Sequence, residues 1–253
     1  MNGKGVEILK KAGLKVEVGL LNREATELNR DFFTFHQKKR PFITLKAALS
    51  LDGKISTNRE KQTPITEGKS QVFLHLLRHK HQAILVGAGT VFADDPHLGV
   101  RLVEGRDPLR IILQGDRELP KKAQVFRDSN ILILRNKSVK EVLKNLYEKE
   151  VVSVLVEGGN EVFTSFLDEG CVDQLKLFIA PVFLGDEALP FAQIKKTLKL
   201  KKTTVEELGQ DLLMTALIEQ PTHPQIDTEA GRSKDKKLQK KIEVSKARKS
   251  KNS

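Results

Sequence analysis

Cysteine is almost missing from this 253-residue chain, and Cys171 stands alone. One cysteine excludes an intrachain disulfide and any zinc site built on cysteines. Long apolar runs are missing too. No segment approaches the length of a membrane span, and the first residues lack the apolar core of a signal peptide. Together these absences predict a cytoplasmic protein without a membrane partner. Aromatic residues are scarce at 5%, and none falls in the basic stretch at the C-terminus, which removes the stacking platform that a nucleic-acid site uses.

Positive charge is what the chain has in excess, +11 in total, and it is unevenly placed. Residues 221–253 hold ten Lys/Arg against four Asp/Glu, so this short stretch carries more than half of the excess. It offers too little apolar surface to offset its ordering entropy, which predicts a disordered, solvated tail with no specific nucleic-acid partner. The histidines show no spacing that marks a metal site. His75 and His79 share one helix face, but without a neighbouring Glu they are expected at the surface.

The most informative stretch is VLVEGGNEVFTSFLDEG, residues 154–170. A β-branched run ends at Glu157-Gly158-Gly159, and helix-period apolar residues begin at Val162 and Phe163. Strand, glycine turn and helix in that order leave backbone N–H groups at a helix N-terminus, which can accept a phosphate without side-chain help. Glu157 falls at the carboxyl end of the strand, where open α/β sheets place their chemistry. An ordinary strand–helix corner is the plainer alternative.

In LKAALSLDGKIS, residues 45–56, alternation puts Lys46 and Ala48 on one face and Leu45, Ala47 and Leu49 on the other. A lysine within an apolar strand needs an anionic partner or a wet cleft. Lys46 therefore reads as a pocket ammonium, or else as the solvated residue of an edge strand. Ala48 is small enough for a flat ring to lie against it. Residues 84–98 repeat the strand–glycine pattern at Gly87-Ala88-Gly89-Thr90, but the Rossmann fingerprint is incomplete. Asp94-Asp95-Pro96 then reads as a turn rather than a metal site. Arg78 and Arg101 flank this segment and suit a phosphate, as surface arginines can.

Along the chain, residues 1–37 read as a helix (5–11), a short strand (14–18) and a second helix (23–36), the end of something larger. Residues 38–220 alternate strands (42–51, 83–86, 109–113, 131–134, 151–156, 175–180, 212–219) with helices (67–80, 139–147, 161–167). This predicts an α/β domain with a mostly parallel sheet, helices on both faces and an antiparallel C-terminal edge formed by 212–219.

LKAALSLDGKIS, HQAILVGAGTVFADDPHLGVRL and VLVEGGNEVFTSFLDEGCVDQLKLFIAPVFLG, in this order and spacing, resemble the reductase domain of the bifunctional riboflavin-biosynthesis deaminase/reductase. The resemblance runs from about Arg40 to Ile218. It implies a dihydrofolate-reductase-like fold and NADPH-dependent reduction of the ribosyl group of 5-amino-6-(5-phosphoribosylamino)uracil. It implies a pocket for the phosphorylated substrate at Lys46, Arg78, Leu98, Arg101 and Glu157, among which Lys46 and Glu157 are expected to be catalytic because an ammonium and a carboxylate can exchange roles as acid and base. The cofactor would meet Ala48, Thr90, Asp94, Gly115 and the turn of Gly158, Gly159, Asn160 and Glu161, running on to Ser165. Gln62 and Pro64 stand where that family commonly has a serine and a tryptophan, which leaves a different pterin-like or pyrimidine substrate open. The zinc-deaminase signatures of the bifunctional enzyme are not found, so 1–37 reads as a deaminase remnant with no zinc and no deaminase activity. The remaining expectations are a homodimer and a separate deaminase as partner, the latter also for a non-catalytic subunit.

Overall fold

The computed structural model describes residues 3–58 and 63–219; Gln62 and the tail 220–253 lie outside the described residues. The apolar runs become strands: β1 (Phe42–Leu49), β3 (Ala83–Gly87), β4 (Leu109–Gln114), β5 (Ile131–Arg135), β6 (Ser153–Val156), β7 (Gln174–Ile179) and β10 (Asp211–Ile218). With β9 (Leu200–Leu208) they form an eight-stranded sheet in the order β5-β4-β3-β6-β1-β7-β10-β9. Pairing is parallel from β5 through β7 and antiparallel for β10 and β9. Two short strands, β2 (Lys54–Ser56) and β8 (Leu189–Pro190), pair separately.

Alternation along the central strand β1 divides the core. Ile43 and Leu45, both fully buried, face α6 (Val139–Glu148) and α7 (Asn160–Asp168), where Val142, Leu146, Phe163 and Phe166 complete one cluster. Each such side chain contributes about 1.5–3 kcal/mol by burial. On the opposite face α4 (Lys69–Lys80) packs Leu77 against Leu155, Phe178 and Leu213, and α5 (Ala88–Asp94) packs Val91 against Ile84, Val86 and Ile112. A capping box fixes the start of α6, with the Glu141 N–H donating to Ser138 and the Ser138 N–H to Glu141. Asp173 accepts both arms of Arg40 at 2.6 and 2.8 Å and the Ile43 N–H at 3.0 Å, which ties the entry of β1 to β7.

Several sequence expectations need correction. No strand forms over 14–18, where Leu14 and Val18 are exposed and no partner strand supplies pairing. The helix expected over 23–36 is two, α2 (Asn22–Leu28) and α3 (Arg30–Lys38), divided at Asn29, whose side chain bonds back to the Ala25 carbonyl. β10 is not the edge. That place belongs to β9, whose residues from Leu200 to Glu207 are all exposed, so no apolar alternation announces it. Helix α5 also went unread, and its preceding α1 counterpart (Lys4–Lys11) buries nothing. Among the described residues no helix is long and apolar enough to cross a membrane.

Candidate active site

The parallel strands β1, β3, β4 and β6 end together at a cleft of about 710 Å³, the size that suits a small organic ligand. Of the residues singled out from sequence, Lys46, Ala48, Arg78, Thr90, Asp94, Leu98, Arg101, Gly115, Glu157, Gly158, Gly159, Asn160 and Glu161 line it, whereas Ser165 does not and turns its hydroxyl back to the Glu161 carbonyl at 2.7 Å. They arrive there because β1 presents Lys46 and Ala48 on one side and the β3–α5 and β6–α7 corners open beside it.

Glu157 anchors the floor. Both its oxygens accept from Arg78, Nε to Oε1 and Nη2 to Oε2 at 2.9 Å each, while Arg78 Nη1 donates to the Gly99 carbonyl at 3.2 Å. Both side chains of the pair are buried. Burial alone would raise the Glu157 carboxyl, but the Arg78 guanidinium outweighs it and Lys46 adds to the effect, so Glu157 is held ionised below the ordinary carboxylate range. Arg78 is therefore committed to Glu157 and to the loop, and it orients the carboxylate rather than reaching freely into the cleft.

Lys46 differs. Among the described residues its ammonium has no hydrogen-bond or ion-pair partner, and it stands 5.4 Å from the centre of the Phe178 ring. Burial lowers its pKa, Glu157 pulls it back up, and Arg78 lowers it again, for a net lowering. Lys46 is not the solvated residue of an edge strand, since β1 lies between β6 and β7. Asp94, at the end of α5, is pushed up by burial to about 6.

Arg101 sits on the exposed rim, and among the described residues its guanidinium makes no ion pair. Its backbone belongs to a loop held at several points. The Val100 N–H donates to Asp107 at 2.7 Å, and Asp107 in turn accepts from Arg127 at 2.6 Å. Leu98 takes a left-handed φ of 55°, a conformation that costs a non-glycine residue about 1–2 kcal/mol, and it is buried against the cleft.

The β6–α7 corner is the part shaped for a phosphate. Gly159, the N-cap of α7, gives the helix no side-chain cap, and a Cβ built there would meet only Thr90 Oγ1 at 3.9 Å. That open cradle, which a side chain would fill, fits the diphosphate of a dinucleotide. Asn160 turns its own amide to the Pro190 carbonyl at 2.9 Å, so it faces the cleft through its backbone. Among the described residues no cluster of three His, Cys, Asp or Glu could hold a metal.

Sequence reasoning missed His75 and His97, both of which line the cleft, along with Thr66 and Gln71. The surface placement expected for His75 is wrong: it is 3% exposed. The signal was available, because His75 and Arg78 are three apart on one helix and so share a face.

The family described as RibD C-terminal domain matches residues 41–214. The riboflavin biosynthesis protein RibD of Aquifex aeolicus is 40% identical over 242 residues, which cover 85% of this chain and 68% of that protein. The RibD protein of Bacillus amyloliquefaciens is 34% identical, covering 85% and 67%. Among solved structures, the diaminohydroxyphosphoribosylaminopyrimidine deaminase/5-amino-6-(5-phosphoribosylamino)uracil reductase of Thermotoga maritima superposes with a TM-score of 0.77 at 33% identity, covering 86% of this chain and 68% of that one. RibD of Acinetobacter baumannii gives 0.80 at 28%, covering 86% and 69%.

Proposed function

This chain belongs to the RibD C-terminal domain family, and from that membership and the cleft together we propose that it reduces the ribosyl group of 5-amino-6-(5-phosphoribosylamino)uracil to the ribityl form with NADPH. The observation that carries the reading is the Lys46 ammonium, without a hydrogen-bond or ion-pair partner among the described residues, beside an ionised Glu157, in the cleft onto which the uncapped N-terminus of α7 opens.

Reduction at the anomeric carbon first requires the sugar ring to open. Lys46 donates a proton to the ring oxygen as the bond from C1′ to that oxygen breaks, and the oxygen keeps the electron pair. The exocyclic nitrogen supplies its lone pair to C1′, leaving an iminium carbon there. NADPH, when bound, supplies the hydride that this carbon accepts, and the product is the ribityl amine. A lowered lysine pKa suits the proton transfer, since the acid is poised closer to working pH. Glu157, fixed by Arg78, keeps a negative charge beside the developing cation and beside Lys46. Arg101, the rim arginine without an ion pair among the described residues, is the group assigned to the substrate phosphate, whose register it sets. Gly158, Gly159, Asn160 and Glu161 would hold the cofactor phosphates through the backbone, and Ala48 would seat the nicotinamide. Thr90, Asp94 and Gly115 border the same path, and Leu98 lines the substrate side.

The reading is tested by following NADPH oxidation with 5-amino-6-(5-phosphoribosylamino)uracil. Stoichiometric conversion to the ribityl product is expected. Oxidation with other pyrimidines or pterins, but not this one, would favour the second reading of a same-fold reductase for a different ring, which Pro64 on the cleft wall motivates. A chain that binds no NADPH at all would instead be a non-catalytic partner of a separate deaminase. The expected homodimer is checked by sedimentation.

A further inference from the structure

The loop that carries Arg101 is fastened to α4 by two histidines one turn apart. The Arg101 N–H donates to His75 Nδ1 at 2.9 Å, and the Arg106 N–H donates to His79 Nδ1 at 3.0 Å. Between them on the same helix, Arg78 reaches the Gly99 carbonyl. Gly105 packs so closely on the second ring that an added Cβ would lie 2.3 Å from His79 Nδ1. Each imidazole therefore acts as a hydrogen-bond acceptor at Nδ1, which fixes the neutral tautomer with the proton on Nε2.

We propose that His75 and His79 are positioning residues: as neutral acceptors they clamp the 99–107 loop to α4 and so set where Arg101 meets the substrate phosphate. The role given to Arg101 rests on the reductase reading above; the clamp itself does not. A backbone N–H bonded to a ring nitrogen cannot survive protonation of that nitrogen, because both would then be donors. The His75 arm of the clamp therefore holds at neutral pH and loosens in acid. For His75 the groups that face it are Arg78 on α4, Arg101 and His97 on the loop, and Glu157 after β6. Burial first, then the two arginines, push its pKa below the ordinary histidine value, while Glu157 opposes them. The lowered pKa keeps the acceptor form populated through the neutral range.

The test measures amide hydrogen exchange at Arg101 and Arg106 in the full chain, with KM and kcat in parallel. The variants are His75→Leu and His79→Leu, which remove the acceptor, and His75→Asn and His79→Asn, which can return an oxygen near the Nδ1 position and do not titrate. In the leucine variants the matching amide should exchange roughly two- to tenfold faster, the effect of one net hydrogen bond. KM should rise by a similar factor with kcat nearly unchanged, and the asparagine variants should restore both. In acid the wild-type KM should climb more steeply than that of His75→Asn, since the substrate's own titration is common to both. Undisturbed protection of the Arg101 and Arg106 amides in well-folded leucine variants would overturn the clamp, as would failure of asparagine to restore them. The exchange measurement needs no substrate. Loss of protection in a chain that oxidises no NADPH with this substrate would support the clamp and sink only the reductase reading.

Discussion

Two corners stand side by side at the mouth of the cleft and look alike in sequence: Gly87-Ala88-Gly89-Thr90 at the end of β3, and Glu157-Gly158-Gly159-Asn160 after β6. Their glycines do different work. Gly87 and Gly158 each stand two residues beyond the paired Leu85 and Val156. A Cβ on Gly87 would lie 2.9 Å from Val162 Cγ2, and one on Gly158 would lie 2.7 Å from Val162 Cβ. Both are glycine because one valine of α7 passes over both strand ends. A Cβ on Gly89 would meet nothing, and one on Gly159 only Thr90 Oγ1 at 3.9 Å. Only the second corner also carries an acid and leads into the longer helix, nine residues in α7 against seven in α5. Glycine in such corners can thus mean close packing within the protein or room for a ligand, and the neighbours of the missing Cβ decide which.

The comparison breaks first at its acid. Glu157→Ala should abolish turnover and cost about 3–5 kcal/mol of stability, because it leaves the buried Arg78 guanidinium without a counter-charge; denaturant unfolding and NADPH oxidation read the two effects. Equal stability in that variant would mean the pair is not buried as described. Next, Gly87→Ala should lose about 1–3 kcal/mol by overpacking against Val162 Cγ2, and Gly87→Ala combined with Val162→Ala, which removes that methyl, should recover part of it. Independent, additive losses would deny that the two residues touch.

Asp94 gives a smaller, pH-dependent effect of opposite sign. Its folded pKa of about 6 lies above the 3.8 of an ordinary aspartate. The folded state therefore holds the proton more tightly, and stability is lost as pH rises between those values. Asp94→Asn should stabilise the protein above that window, on the order of 1 kcal/mol once solvent screening of a half-exposed group is allowed for, and should change nothing below it. Thermal midpoints measured on both sides of the window decide it. Smallest of all, Gly89→Ala should raise stability by up to about 1 kcal/mol, the helix-propensity difference, because its Cβ meets nothing.

The corners were legible because strand, glycine and helix signals are local. Lys46 and Ala48 were legible for the same reason, through alternation along one strand. The partner of Arg78 was not, since Glu157 lies 79 residues away and only the parallel pairing of β3 with β6 brings the two segments together. His75 was legible only through Arg78, three residues along the same helix face, since a histidine on a helix does not by itself say whether it faces water or a loop. β9 escaped because an edge strand exposed on both faces has no hydrophobic period, and the tail and Gln62 fall outside the described residues.

The most direct measurement is calorimetric titration of NADPH into the wild-type chain and Gly159→Ala, with thermal midpoints measured on both. Gly159 has φ −80° and ψ −174°, which alanine adopts without strain, so the fold should be untouched. If the second corner holds the cofactor diphosphate, the added methyl should weaken NADPH by tenfold or more, about 1.4 kcal/mol, at an unchanged midpoint. Equal affinity for NADPH in the two proteins would contradict the assignment of that corner.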